Sequence, residues 1–310
     1  MHRYIIKRIL LIIPVVFFVS FCIYWLLDFA PGDAAYIMAT DEMTNEEIEV
    51  LREQMGLNKP VYQRYLVYIS QVLRGNLGQS LRTGAPVWDQ YIARLPTTAK
   101  LTVSSMVIGT AIGIPMGMLG ARFKDSWIDA GCTTFSLLGL SIPNVWLGLL
   151  FILWFGVQRD WFPVSGNVGW ISFVMPGVVV GIDHAASQCR ITRSAMLDVA
   201  TQDYLRTARA KGCSERTVRN KHAFRNALIP ISNVVFNQLG GSFGGAVVTE
   251  ATFALPGVAQ LSVQSIRNSD YQMVTGGSIM TTIIITSFTV LLDIFIAFID
   301  PRVKAQYSKK

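Results

Sequence analysis

Charge is what this sequence has little of. Only 15% of its 310 residues are Asp, Glu, Lys or Arg, against about 25% in soluble chains, while 51% are apolar. That excludes a soluble surface over most of the chain. Histidine is scarcer still, with His2, His184 and His222 far apart, and Cys22, Cys132, Cys189 and Cys213 show no metal-type spacing. A zinc site, a Cys/His triad and a disulfide framework are therefore set aside. No GxxxxGK[ST] loop and no kinase-type motif set is present, so nothing here cradles ATP phosphates. The chain is expected to be no enzyme and to hold no cofactor or metal of its own.

Long apolar runs take the place of those features. A hydrocarbon core needs about 20 helical residues, and six stretches approach that length, at 9–27, 101–119, 132–158, 171–186, 228–248 and 274–299. Basic residues precede the first run, yet no small-residue cleavage pattern follows it, so it reads as an uncleaved first helix. Helices are the default for lipid-exposed backbone, and the fold class expected is all-α integral membrane with six transmembrane helices. Pro14, Pro115 and Pro143 are expected to kink theirs.

Six crossings place both termini on one side, and the basic residues decide which. With the termini inside, segments 1–8, 120–131, 187–227 and 300–310 hold 18 of the 27 Lys and Arg, as the positive-inside rule requires. Topology thus accounts for the net charge of +7 without nucleic acid, and the lipid bilayer is the partner implied. The organisation expected is 1–27 (inner N-terminus and first span), 28–100 (external helical segment) and 101–310 (five-helix core with an inner loop at 187–227).

The external segment carries nine acids and seven bases and opens with Pro31-Gly32-Asp33. Thr44 and Glu47 have capping-box spacing for a helix that Gly56 ends. Pro60 starts a second, with Val61, Tyr65, Tyr68, Ile69 and Val72 at helical spacing. This segment either shields the membrane helices or offers a docking surface.

The inner loop contains a short amphipathic helix over Tyr204, Leu205, Arg206, Thr207, Ala208, Arg209, Ala210 and Lys211, stopped by Gly212. A basic loop on anionic lipid needs neither small residues nor glycine. Ala208 and Ala210, with the stop at Gly212, suit a helix set in a groove on another protein. A second basic helix over 215–226 is expected to lead to Pro230 and the fifth span.

Within the spans, Gly109, Gly113 and Gly117 form a ridge for close helix packing. Asn233, Asn237, Gly241 and Gly244 form a polar, small stripe that faces either a pathway or a dimer contact. Asp183 and His184 are intramembrane ionisable groups. Asp183 either pairs with Arg190 or meets a cationic substrate group or metal, and Asp293 is expected to pair with a basic residue.

Several stretches now match a known pattern. They are Pro31-Gly32-Asp33, the GLNKP run at 56–60 with Tyr65, GNLGQS at 75–80, RTARAKG at 206–212, HAFRNALIP at 222–230, EATFALPG at 250–257 and Asp300-Pro301-Arg302. In this order, over essentially the whole chain, the sequence resembles the membrane permease subunit of bacterial ABC importers of the oligopeptide, dipeptide and nickel class. The resemblance implies a type I ABC importer transmembrane fold with an external helical insertion after the first span. It implies a second homologous permease, two ABC ATPase subunits that hold ATP and Mg, and an extracytoplasmic solute-binding protein, in the bacterial inner membrane. It makes Tyr204 to Gly212 the helix that docks on the ATPase, and places Glu250, Phe253, Pro256 and Gly257 at an outer gate. An acidic residue usual in the broader importer loop is replaced by Arg206 and Thr207, and the 212–230 stretch is long. Both departures are usual in the peptide branch. The cargo stays open between peptides, glutathione-like compounds, nickel and metal chelates. A secondary transporter or channel is the rival of another class, although it predicts inverted repeats and more buried charge. A scaffold anchored by the basic loop would not need the polar stripe.

Overall fold

The computed structural model describes residues 2–29, 35, 39, 43–54 and 56–299. The turn at 31–33 and the terminal Asp300-Pro301-Arg302 lie outside the described residues.

The first apolar run folds as α1 (His2–Leu10) and α2 (Ile12–Leu27). Proline at 60 caps rather than interrupts, so α3 (Asn45–Gln54) and α4 (Val61–Leu73) flank the turn at Gly56. Thr44 and Glu47 close the capping box, with Thr44 N donating to Glu47 Oε2 at 2.8 Å and Glu47 N to Thr44 Oγ1 at 3.4 Å. The hydrogen bonds from Thr44 hold the Glu47 carboxyl below its usual range.

The second span is longer than its apolar run. It starts at Val87, directly after Pro86, and continues as α5 (Val87–Arg122) through Pro96 and Pro115. The third run is broken rather than kinked, into α6 (Trp127–Ser141) and α7 (Asn144–Phe151), the latter continuing as a π turn over Ile152–Val157. The two halves meet at 94°. Proline lacks an N–H and pushes the preceding residue out of helical space, and Ile142 before Pro143 is extended, at φ −80° and ψ 121°. After a 3-10 turn at Trp170–Phe173 comes α8 (Val174–Ala200). Among the described residues, four helices are long and apolar enough to cross a bilayer, or five with the bent pair counted as one. The run at 228–248 is helical, but its Asn, Gln, Ser and Gly content keeps it out of that set.

Packing centres on α5 against α8. A Cβ on Gly109 would lie 2.6 Å from His184 Cβ, one on Gly113 2.5 Å from the Ala185 carbonyl, and one on Gly117 2.5 Å from the Cys189 carbonyl. The ridge therefore seats α8, the close approach that small residues permit. The last helix, α14 (Tyr271–Ile299), lies beside α1, with Arg8 Nη1 3.0 Å from Asp293 Oδ2. Arg8 is thus the basic partner expected for Asp293. The N-terminal helix and the far end of α14 share one end of the bundle.

The segment between α2 and α5 packs on the core. Tyr65 donates to the Phe17 carbonyl at 2.8 Å and meets Ser20 Oγ at 2.9 Å, while Arg64 pairs with Asp28. GNLGQS closes on the start of α14. Gln79 N reaches Gln272 Oε1 at 2.9 Å, Leu81 N reaches Asp270 Oδ1 at 3.1 Å, and Ser80 Oγ bonds the same carboxylate. Gly78 has φ +87°, and a Cβ there would strike Gln272 Oε1 at 2.4 Å. All seven tryptophans are exposed, from 48% at Trp25 to 84% at Trp127, as aromatic rings at membrane interfaces are.

Candidate functional site: the inner-loop helix and the elements behind it

The inner loop folds as α9 (Asp203–Ala210), and Gly212 ends it at φ +78° with open space where a Cβ would stand. Next comes α10 (Glu215–Thr217), N-capped by Ser214, which passes through a π turn at Val218–Ala223 into α11 (Phe224–Gly245). The second basic helix and the helix of the 228–248 run are therefore one continuous rod that accommodates Pro230.

Helical spacing turns Leu205 and Ala208 inward, 1% and 8% exposed. They pack with Met196, Val218, Ala223 and Ala227. Tyr204, Arg206, Thr207, Arg209, Ala210, Lys211 and Gly212 face out. Ala208 is small because it meets its own chain, not because it enters a partner's groove. That corrects the expectation for Ala208, while Ala210 remains outward. Glu215 accepts from Arg209 Nε at 2.7 Å, and this bond holds its carboxyl below the usual range.

Behind this helix, α8 and α11 are joined by side-chain amides. Gln188 Nε2 donates to Gln238 Oε1 at 2.8 Å, and Gln238 Nε2 to the His184 carbonyl at 3.5 Å. His184 is buried and its Nδ1 has no partner. Asp183 is half-buried and makes no pair with Arg190, which is exposed. Seven residues on a helix are about 10 Å of rise, beyond the reach of a short carboxylate, so the expected structural pair is absent. Along α11, Asn233 is half-buried and bonds back to the Ile229 carbonyl at 3.2 Å, while Asn237 and Gly241 are exposed. A Cβ on Gly241 or Gly245 would meet nothing, whereas one on Gly244 would lie 3.5 Å from Ile285 and Thr281 of α14. The open stripe therefore runs through Asn233, Asn237, Gly241 and Gly245, and Gly244, exposed beside it, also touches α14.

At the outer end, EATFALPG folds as α12 (Val247–Thr252), a turn, and α13 (Val258–Arg267). Glu250 is fully buried. Its carboxylate accepts from Thr98 Oγ1 at 2.6 Å and from Gln260 N at 2.8 Å, and Thr98 Oγ1 in turn accepts from Val258 N at 2.8 Å. Burial pushes the Glu250 carboxyl above its usual range, against these hydrogen bonds. A Cβ on Gly257 would sit 2.1 Å from the carboxylate. Phe253 is 2% exposed, and of the four expected gate residues only Pro256 is exposed. This is a buried knot tying α5, α12 and α13, with Glu250 and Phe253 inside rather than on an exposed rim.

Sequence reasoning missed a third fixture. Asp129 near the start of α6 is 5% exposed and takes both Nε and Nη2 of Arg193 on α8, the latter at 2.7 Å. Residues 64 apart leave no local signal for such a pair.

The family described as binding-protein-dependent transport system inner membrane component matches residues 113–305, and the model for its N-terminal part matches residues 1–102. The chain belongs to this permease family. It is 35% identical over 304 residues to the protein named glutathione transport system permease protein GsiC of Escherichia coli (strain K12), covering 98% of this chain and 99% of that one. The same identity and coverage hold for the GsiC of Shigella dysenteriae serotype 1 (strain Sd197). Among solved structures, an inward-facing form of the MetNI methionine ABC transporter superposes with a TM-score of 0.56 at 18% identity, covering 68% of this chain and 96% of that chain. An amino acid ABC transporter described with histidines gives 0.51 at 18% identity, covering 67% and 92%. These likenesses place the permease among type I ABC importer folds. In this family the ATPase is a separate subunit.

Proposed function

We propose that this permease pairs with a second, homologous permease to form the inward pathway of an ATP-driven importer for peptides, glutathione-like compounds included. The observation that supports the reading is the two-sided helix α9. Its inner face is fixed through Leu205 and Ala208 to α8 and to the π turn that opens α11. Its outer face presents Tyr204, Arg206, Thr207, Ala210 and Lys211. Two ATPase subunits, which hold ATP and Mg, dock on that outer face. Closure of the ATPase pair then displaces α9, and the packed joint passes the displacement to α8 and α11. Nucleotide biases a two-state bundle through differential contacts, which is what coupling requires.

The stripe of Asn233, Asn237, Gly241 and Gly245 faces away from its own chain and borders the pathway or the second permease. An extracytoplasmic binding protein delivers cargo at the outer end, near the segment 28–100 and the Glu250 knot. Six crossings place both termini in the cytoplasm of a bacterium, with α6 and α7 sharing the third and α11 making the fifth. The relatives' name supports a short peptide as cargo. Nickel or a chelate carried by the same machinery is the second reading, and Asp183, half-buried without an ion-pair partner, favours testing it.

The test is uptake by vesicles holding the full assembly. With Arg206→Glu and Lys211→Glu together, uptake of labelled glutathione or dipeptide should fall at least tenfold while the chain stays in the membrane. Unchanged uptake would remove the docking role of α9.

A further inference from the structure

Behind α9 lies a cavity of about 190 Å³ that the docking reading does not use. Its floor is apolar, made by Met196, Leu205, Val218 and Ala223, each no more than 4% exposed. Its rim is cationic. Arg122 comes from the last turn of α5, Arg209 from α9 and Arg219 from the π turn. Only one carboxylate, Glu215, lines it, and that one is engaged by Arg209 at 2.7 Å. Arg122 lies over the ring of Phe123, and Arg219 Nε donates to Asn220 Oδ1 at 3.3 Å while its charge also acts on Glu215. Three guanidinium groups thus share one carboxylate, and neither Arg122 nor Arg219 is bonded to it.

The π turn builds this geometry. In an α-helix Val218 and Ala223 would point about 140° apart. A turn closed between residues i and i+5 brings them closer to one face, so both line the floor and Arg219 stands beside them. Local π geometry lowers helix quality and recurs at functional sites.

We propose that this cavity binds a phosphate group, held by Arg122 and Arg219 with Arg209 at its edge. Guanidinium forks match phosphate oxygens, and an apolar floor suits the carbon part of a phosphate ester. Such a ligand would touch α5, α9 and the root of α11 at once, bracing the joint that α9 uses. The source is either the headgroup of an anionic phospholipid, reached where α5 ends, or a soluble phosphate ester. The binding itself does not depend on what the permease imports.

The test uses the full-length chain extracted in mild detergent from membranes containing phosphatidylglycerol, read by native mass spectrometry. In parallel, its thermal unfolding is followed with and without inorganic phosphate. The pair Arg122→Gln and Arg219→Gln removes the two free forks, and Arg190→Gln with Arg225→Gln, both exposed, removes equal charge elsewhere. With each basic residue contributing the usual increment at an anionic surface, the first pair should bind about thirty-fold more weakly. The second should bind as the parent does. Retention of one phosphatidylglycerol by the parent and its loss from the first pair identifies the lipid source. A phosphate-dependent rise in unfolding temperature, lost in the same pair, identifies a soluble one. If the first pair does not fold, Arg122→Lys with Arg219→Lys keeps the charge but not the fork, and should bind detectably more weakly than the parent. Equal binding by the parent and every Arg122/Arg219 variant tested, equal loss in both Gln pairs, or no binding by the parent would overturn the proposal.

Discussion

Glu250→Ala is the substitution whose consequence follows most directly from the geometry. The carboxylate is fully buried and receives Thr98 Oγ1 and Gln260 N at 2.6 and 2.8 Å. Its loss leaves two buried donors unsatisfied, at about 1–3 kcal/mol each, so about 2–6 kcal/mol is expected before any cavity term. That is a large part of the stability of an ordinary domain, about 5–15 kcal/mol. Thr98→Val removes the same donor and also the acceptor for Val258 N. The two changes share a bond, so the double variant should be less destabilised than the sum, with a coupling of about 0.5–3 kcal/mol. The assay is unfolding of the purified full chain in mild detergent, followed by tryptophan fluorescence. An unchanged midpoint for Glu250→Ala, or strict additivity with Thr98→Val, would refute the knot as a structural fixture.

Four further outcomes are expected. Because burial raises the Glu250 pKa above its unfolded value, the folded chain binds that proton more tightly. This contribution is full below the unfolded pKa and is lost as pH rises through the folded one. Unfolding titrations of the parent and Glu250→Gln should differ in slope across that window, and parallel curves would contradict the shift. Arg193→Ala removes both guanidinium bonds to Asp129 but leaves the Asp125 N–H bond, at a site where Arg193 is 29% exposed, and should cost about 1.5–3 kcal/mol, which the same unfolding assay measures. Gly113→Val should broaden or shift the gel-filtration peak, since its Cβ meets the Ala185 carbonyl at 2.5 Å. A reporter fused after Lys310 should read as cytoplasmic and one inserted near Thr40 as external, and reversed signals would overturn the topology.

Legibility in the sequence followed the range of the interaction. The capping box of Thr44 and Glu47, the start after Pro60 and the extent of α9 are local, so spacing and cap chemistry locate them to within a residue or two. Apolar runs located the four long apolar helices and the bent pair for the same reason. Pro143 was legible as a disruption but not as a 94° break, because the angle depends on what each half packs against. The burial of Ala208 could not be read, since a small residue on an amphipathic helix looks alike whether it faces its own core or a partner. The pairs Thr98 with Glu250, Asp129 with Arg193 and Ser80 with Asp270 join residues 152, 64 and 190 apart. One sequence holds no signal for such distances. Motif resemblance marked GNLGQS and EATFALPG, and the structure supplies their physical reason, in the Asp270 and Glu250 carboxylates they serve.

The central claim is that this permease works within an ATP-driven assembly coupled through α9. Its most direct test is purification of the tagged full chain from its native membrane in mild detergent, with mass spectrometry of what accompanies it and an ATPase assay of the eluate. The account predicts a second permease and nucleotide-binding subunits, with ATP turnover that Gly212→Leu uncouples from uptake, because φ +78° strains any side chain but glycine. A chain that purifies alone and moves solute into liposomes without ATP would contradict it.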